Sequence, residues 1–194
     1  MRKPAQPRLF FASLPPLAWR KHALARLDQL GITGKLGNKL FQPGNWHQSL
    51  SERIFDPTKD ECDALLRVGS EISAHACTLD FNRVEGPDLA SGRRHCTLRA
   101  KGTPKGFSRL LLQVQNCLTT NDFGRIATGV TPHITLSYNA DHSFDNTLVD
   151  PSISWTIDEL FLVMGGGDPY GYEVIGRWSL LAEIDPPVTQ PPLF

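Results

Sequence analysis

The sequence predicts an α+β fold with largely antiparallel sheets and helices on the outer faces. Three observations lead there. Apolar runs of strand length are interleaved with stretches of helical apolar spacing, and their order lacks the regular rhythm of βαβ units. The 194 residues are 40% hydrophobic and 21% charged, which supplies material for a core and too little charge for disorder.

The elements follow in order. Leu9–Leu14 is a compact apolar run that reads as a buried strand, stopped by Pro15 and Pro16, which cannot donate ladder hydrogen bonds. From Leu17 to Leu30 the apolar positions Leu17, Ala23, Leu24, Leu27 and Leu30 lie mostly three or four apart, the spacing of a helix, and Gly31 ends it. The glycine-rich stretch 31–44 is a loop, and Asn45–Leu50 is a second strand. Asp56 caps a further helix with Pro57 at its first position, running through Ala64, Leu65, Val68 and Ile72. Cys77–Val84 and His95–Ala100 form a hairpin around the turn-rich segment 85–92. Phe107–Leu118 has helical spacing, whereas Thr131–Tyr138, Ile153–Met164 and Tyr172–Leu181 are strands. Gly165, Gly166, Gly167 and Asp168 lack the lysine and following helix of a phosphate loop and read as a turn between the last two strands. The end of the chain is a Pro-rich tail.

Charge narrows the function classes. Twenty Lys and Arg balance twenty Asp and Glu, which argues against wide neutralisation of nucleic-acid phosphates and leaves room only for a short RNA contact. No apolar run approaches the roughly 20 residues of a membrane-spanning helix. Arg2, Lys3 and Arg8 precede Leu9, Phe10 and Phe11 in the order of a signal peptide, but Pro15 and Pro16 break the apolar run, so the expected location is the cytoplasm. Cys62, Cys77, Cys96 and Cys117 are scattered, which predicts reduced thiols and no zinc knuckle.

The chemistry lies in a repeated tetrapeptide. His47-Gln48-Ser49-Leu50, His95-Cys96-Thr97-Leu98 and His133-Ile134-Thr135-Leu136 share the pattern His, any residue, Ser or Thr, Leu, where chance in this composition gives about 0.1 such tetrapeptides. In a strand, residues i and i+2 share a face, so each motif presents an imidazole beside a hydroxyl and turns its leucine inward. Two such motifs facing one cleft suit displacement at phosphorus. With an ordinary pKa near 6.5, one ring accepts a proton while the other donates one, and the hydroxyls bind non-bridging oxygens. This chemistry needs no metal and no cofactor.

Arg8-Leu9-Phe10-Phe11-Ala12, Asn45 to Leu50, Pro132 to Leu136 and the late stretch Gly171 to Leu180 together resemble the LigT-like 2H phosphoesterases, the 2′-5′ RNA ligases or RNA 2′,3′-cyclic phosphodiesterases. The resemblance covers nearly the whole chain. It implies two pseudo-symmetric lobes with a cleft between them, a single bilobal domain over residues 1–185 and a tail at 186–194. It implies His47 and His133, 86 residues apart, as the acid/base pair, with His47 the acid, and Ser49 and Thr135 as phosphate-binding hydroxyls. It implies RNA ends or nucleoside 2′,3′-cyclic phosphates as substrates of a monomeric enzyme, with 2′-phosphate as the product. The reverse reaction would join a cyclic or 2′-phosphate end to a 5′-hydroxyl. The family has no catalytic motif where His95 and Thr97 stand, so His95 is expected to be a surface strand residue, the alternative being a phosphate-side or RNA contact made together with Arg93 and Arg94.

The sequence departs from the family in two places. Ser51, Glu52, Arg53 and Ile54 replace the usual continuation of the first motif, and Tyr138 stands where many members carry an arginine. Strand alternation puts Arg53 on the face of His47 and Ser49, where its charge can substitute. Phe11 and Trp46 foremost, with Phe41, Tyr170 and Tyr172, are candidates for stacking on a base. These departures keep two alternatives in view: a nucleotide sensor of the same fold without turnover, and a 2H enzyme acting on a different small cyclic phosphate.

Overall fold

The computed structural model describes residues 5–184; Arg2, Lys3 and the tail at 186–194 lie outside the described residues. Strand β1 (Ala5–Ser13) grows from the predicted apolar run and organises a five-stranded antiparallel sheet. On one side it pairs with two short segments, β2 (Gln48–Ser49) and β3 (Ile54–Phe55). On the other side it pairs with β8 (Glu159–Gly167), which carries β9 (Gly171–Ser179) at the edge. The second sheet is β6 (His133–Ser137), β5 (Cys96–Ala100), β4 (Cys77–Glu85) and β7 (Thr147–Ile157), again all antiparallel. The chain thus begins one lobe, builds the whole second sheet, and returns to finish the first.

Helices cover the sheets. In α1 (Leu17–Gln29) the buried residues are Trp19, Ala23 and Leu27, one stripe at spacing four. Leu17, expected in that stripe, is exposed, because Trp19 takes the anchoring role: its indole N–H donates to the Ser154 carbonyl of β7 at 2.8 Å, and its ring packs on Phe81 and Trp155. Helix α1 therefore follows β1 in the chain but covers the other sheet. A short helix, α2 (Ile32–Leu36), occupies part of the predicted loop and buries Ile32 and Leu36. Helix α3 (Lys59–Glu71) lies on β8 and β9, where Gly69 lets the Trp178 indole press against the helix; a Cβ there would sit 2.3 Å from the ring. Helix α4 (Lys105–Thr120) buries Phe107, Leu110, Val114 and Leu118 toward β4.

Several boundaries differ from the sequence reading. Thr58, not Asp56, caps α3, because Thr58 and Glu61 close a reciprocal capping box; Asp56 instead adopts a φ of 48° and donates its N–H to the Pro7 carbonyl. The predicted strand 153–164 is two strands in different sheets, separated at Asp158, where the chain crosses between lobes. The predicted strand 45–50 shrinks to Gln48–Ser49, since residues 43–45 form a 3-10 turn.

One large apolar cluster spans both sheets and includes Leu9, Phe11, Trp19, Trp46, Leu50, Leu98 and Leu136. A small separate cluster, Phe10, Ala12, Phe161 and Val163 with Leu14 and Tyr172, occupies the opposite face of the first sheet, where Phe10 and Tyr172 pack against the His47 ring. Cys77 and Cys96 are buried thiols pushed up to about 12 by burial, consistent with inert packing residues. Among the described residues, no helix is long and apolar enough to cross a membrane.

Candidate active site

Two adjoining cavities lie where the lobes meet. The first, about 230 Å³, is lined by His47, Ser49, Glu52, Arg53, His95, Thr97, Val130, His133, Thr135 and Tyr138. The second, about 240 Å³, shares His47, Arg53 and Tyr138 and adds Arg8, Phe41, Asn45, Tyr170 and Tyr172. The structure therefore gathers His47, Ser49, His133 and Thr135 in one cavity, and Leu50 and Leu136 are fully buried behind them, as the i, i+2 pattern requires.

The two imidazoles are held alike. His47 stands just before β2, with Nδ1 3.1 Å from the Asn45 carbonyl oxygen; His133 opens β6, with Nδ1 2.8 Å from the Thr131 carbonyl oxygen. Each carbonyl belongs to the residue two positions earlier. A carbonyl only accepts, so Nδ1 carries the hydrogen in both rings and Nε2 is left as the basic nitrogen. The His47 ring also packs between Phe10 and Tyr172, with centroid distances of 5.3 and 5.1 Å, and the Tyr172 hydroxyl lies 3.1 Å from Nδ1.

Burial sets the charge state. His47 is 9% exposed, and desolvation pushes its pKa down to about 4; the Asn45 carbonyl opposes this, while Arg53 and His133 add to it. His133 is lowered too, chiefly by burial, with the Thr131 carbonyl and Glu85 opposing and Arg99 and Arg53 adding. Both rings are neutral in the free protein near pH 7.

Gln48, the middle residue of the first motif, joins the motifs across the lobes. It is completely buried; its oxygen accepts the His133 backbone N–H at 2.7 Å, and its amide donates to the carbonyls of Thr131 at 3.2 Å and Ser49 at 2.9 Å. The Thr131 carbonyl is the same one that fixes the His133 ring. Sequence reasoning passed over Gln48, although a polar residue between two cleft-facing positions of a strand must point into the core and therefore needs partners.

Arg53 lines both cavities, but not by strand alternation. The strand ends at Ser49, and Ser51 turns inward, where its hydroxyl accepts the Phe11 N–H at 2.9 Å. Arg53 arrives by a loop and lies over the Phe10 ring at 5.0 Å, with Nη2 3.4 Å from the Tyr138 hydroxyl. Tyr138 lines both cavities.

Phe11 and Trp46 do not reach the cleft. They are 0% and 1% exposed and belong to the large core, Phe11 against Trp178 and Trp46 against Trp19. Along β1 only Arg8 lines the cleft; Phe10, on the same face of the strand, is itself fully buried beneath the His47 ring and the Arg53 guanidinium. Phe41, Tyr138, Tyr170 and Tyr172 supply the aromatic wall instead. The glycine run expected as a turn lies inside β8, and Gly165 makes room for that wall: a Cβ there would fall 2.3 Å from the Tyr170 hydroxyl.

His95 and Thr97 line the same cavity, closer to the site than a surface strand position. Their arrangement differs from the other two motifs. Thr97 lies beside Thr135 in the ladder but donates to Glu85 at 3.4 Å, and the exposed His95 ring rests edge-on against Tyr138, with no carbonyl among the described residues fixing its Nδ1. Glu85 also neutralises Arg93 and Arg99. Among the described residues, no three His, Cys, Asp or Glu side chains gather as metal ligands.

No family model and no curated protein matches the sequence. Solved structures do match. E. coli LigT complexed with NADP+ superposes with a TM-score of 0.72 at 20% identity, covering 92% of this chain and 99% of that one. E. coli LigT complexed with 3′-AMP gives 0.71 at 22% identity over the same shares. TT0787 of Thermus thermophilus gives 0.68 at 19% identity, covering 91% of this chain and 99% of that one. From β1 to β9, the chain has the two-lobed fold of the LigT-like 2H phosphoesterases.

Proposed function

We propose that the protein is a metal-independent phosphodiesterase that opens 2′,3′-cyclic phosphate ends of RNA or nucleotides to 2′-phosphates. The observation that carries this reading is the matched pair of imidazoles, His47 from one lobe and His133 from the other. Each has Nδ1 tied to a backbone carbonyl, and both share one cavity with the hydroxyls of Ser49 and Thr135. The neighbouring complexes of E. coli LigT with 3′-AMP and NADP+ support a nucleotide as the ligand class.

In this reading Ser49 and Thr135 hydrogen-bond the non-bridging oxygens and hold phosphorus between the rings. His133 takes a proton from water through Nε2 as the water oxygen bonds to phosphorus. The P–O3′ bond breaks, and His47, protonated when the anionic ester enters, delivers its proton to the departing O3′. The product is a 2′-phosphate with a free 3′-hydroxyl, and solvent resets the two protons. Run backwards with an RNA 5′-hydroxyl in place of water, the same steps form a 2′-5′ linkage without ATP, since the cyclic ester stores the energy.

One observation favours the opposite proton order. His47 is buried and pushed down to about 4, whereas His133 is only half-buried, so in the free site a proton is better solvated on His133. The test of function is incubation with the four nucleoside 2′,3′-cyclic monophosphates and a short cyclic-ended RNA, with the product identified by phosphorus NMR. A 2′-phosphate product supports the proposal. Tight nucleotide binding with every ester intact would instead assign a sensor.

A further inference from the structure

We propose that Arg8 forms a second anion subsite, which takes a phosphate group that the ligand carries in addition to the one between His47 and His133. This rests on the reading above that the site receives nucleotides. Alternation along β1 sends Leu9 and Phe11 into the core and leaves Arg8 and Phe10 on the cleft face, where Arg8 lines the aromatic cavity. Its guanidinium is held between two rings, 5.6 Å from the centre of Phe55 and 5.8 Å from that of Tyr170.

What the rings do not supply is an acceptor. The Arg8 Nε is buried without a hydrogen-bond partner, and among the described residues the side chain makes no hydrogen bond or ion pair. Other arginines are neutralised: Arg93 and Arg99 by Glu85, Arg125 by Glu61, Arg177 by Glu159. Among the described residues no carboxylate lines the cavity that Arg8 faces, and the other cation there, Arg53, is shared with the reaction cavity. A fixed, unpaired guanidinium in a concave aromatic pocket suits bidentate contact with phosphate oxygens. Arg8 lies four residues, about 13 Å, along β1 from the residue that pairs with Ser49. A nucleoside between two phosphates and the long arginine side chain together span that separation.

The test compares binding of a nucleoside 2′-monophosphate, a nucleoside 2′,5′-bisphosphate and a dinucleotide ending in a 2′-phosphate, by calorimetry, in the wild type, Arg8→Ala and Arg8→Lys. The wild type should prefer both ligands that carry two phosphate groups over the monophosphate. Arg8→Ala should cut that preference about tenfold and flatten its salt dependence, with Arg8→Lys in between. An effect on the bisphosphate alone assigns a terminal phosphate, and an effect on both assigns any phosphate at that position. An effect on the dinucleotide alone would mean that the added nucleoside is read, which overturns the proposal, as does an unchanged preference or no binding. Absence of turnover with the preference intact would fail the proposed activity and leave this subsite standing.

Discussion

The side-chain oxygen of Gln48 accepts the backbone N–H of His133 at 2.7 Å, across the cleft and across 85 residues of chain. The same amide donates to the Thr131 carbonyl that orients the His133 ring, so one buried side chain fixes both the position and the tautomer of the second imidazole. Gln48→Ala leaves a buried N–H and a carbonyl short of partners and should destabilise the protein by about 1–3 kcal/mol. By loosening His133 it should lower kcat by about 10- to 100-fold, with KM changed less. Gln48→Glu keeps the acceptor for His133 but turns a carboxylate oxygen toward the Thr131 carbonyl, and should be worse than alanine. Thermal unfolding and steady-state kinetics on both variants check this.

The buried state of His47 makes stability depend on pH. Its folded pKa, about 4, lies below the ordinary 6.5, so between these values the unfolded chain binds more protons than the folded one. The stability conferred by burying the neutral ring is complete above pH 6.5 and is lost as the pH falls through that window, by about 3 kcal/mol at pH 4. Urea midpoints measured from pH 7 to pH 4 should fall accordingly, and the fall should be shallower in His47→Gln.

Arg53 depresses the pKa of both histidines and lies in both cavities. Arg53→Ala should therefore raise both pKa values, visible by NMR titration of the imidazoles, and raise KM about tenfold through loss of a charged phosphate contact. Unchanged titrations would separate Arg53 from the histidines.

The proton order is separable by leaving group. A nucleoside 4-nitrophenyl phosphodiester expels an anion that needs no proton, so a variant lacking the general acid should regain most of its rate on that ester, while one lacking the base should not. With His47 as the acid, His47→Ala is rescued and His133→Ala is not; the shallower burial of His133 favours the reverse, and rates on both esters decide between them.

The sequence made the motifs legible because a strand period of two ties each histidine to its hydroxyl and its inward leucine, and Leu50, Leu98 and Leu136 are all fully buried. It could not choose between Phe10 and Phe11, since Leu9 to Ala12 is apolar throughout and carries no alternation to mark the cleft face. Nor could it show that Asp158 divides one apolar stretch between two sheets, which only tertiary pairing decides. Gln48 escaped for a related reason: its partners Thr131 and His133 are distant in sequence, and local pattern does not encode them. Arg8 likewise stands out only once the structure places it in an aromatic cavity where, among the described residues, no acidic group answers it.

The central claim is that two histidines, one from each lobe, carry the reaction without a metal. The direct measurement is single-turnover cleavage of a cyclic-ended RNA in EDTA by the wild type, His47→Ala and His133→Ala, each checked for folding. The account predicts full wild-type activity in EDTA and a loss of about 1,000-fold or more in either variant, close to the loss in the double variant, because the two groups act as a unit. Cleavage abolished by EDTA, or retained when either histidine is removed, would contradict it.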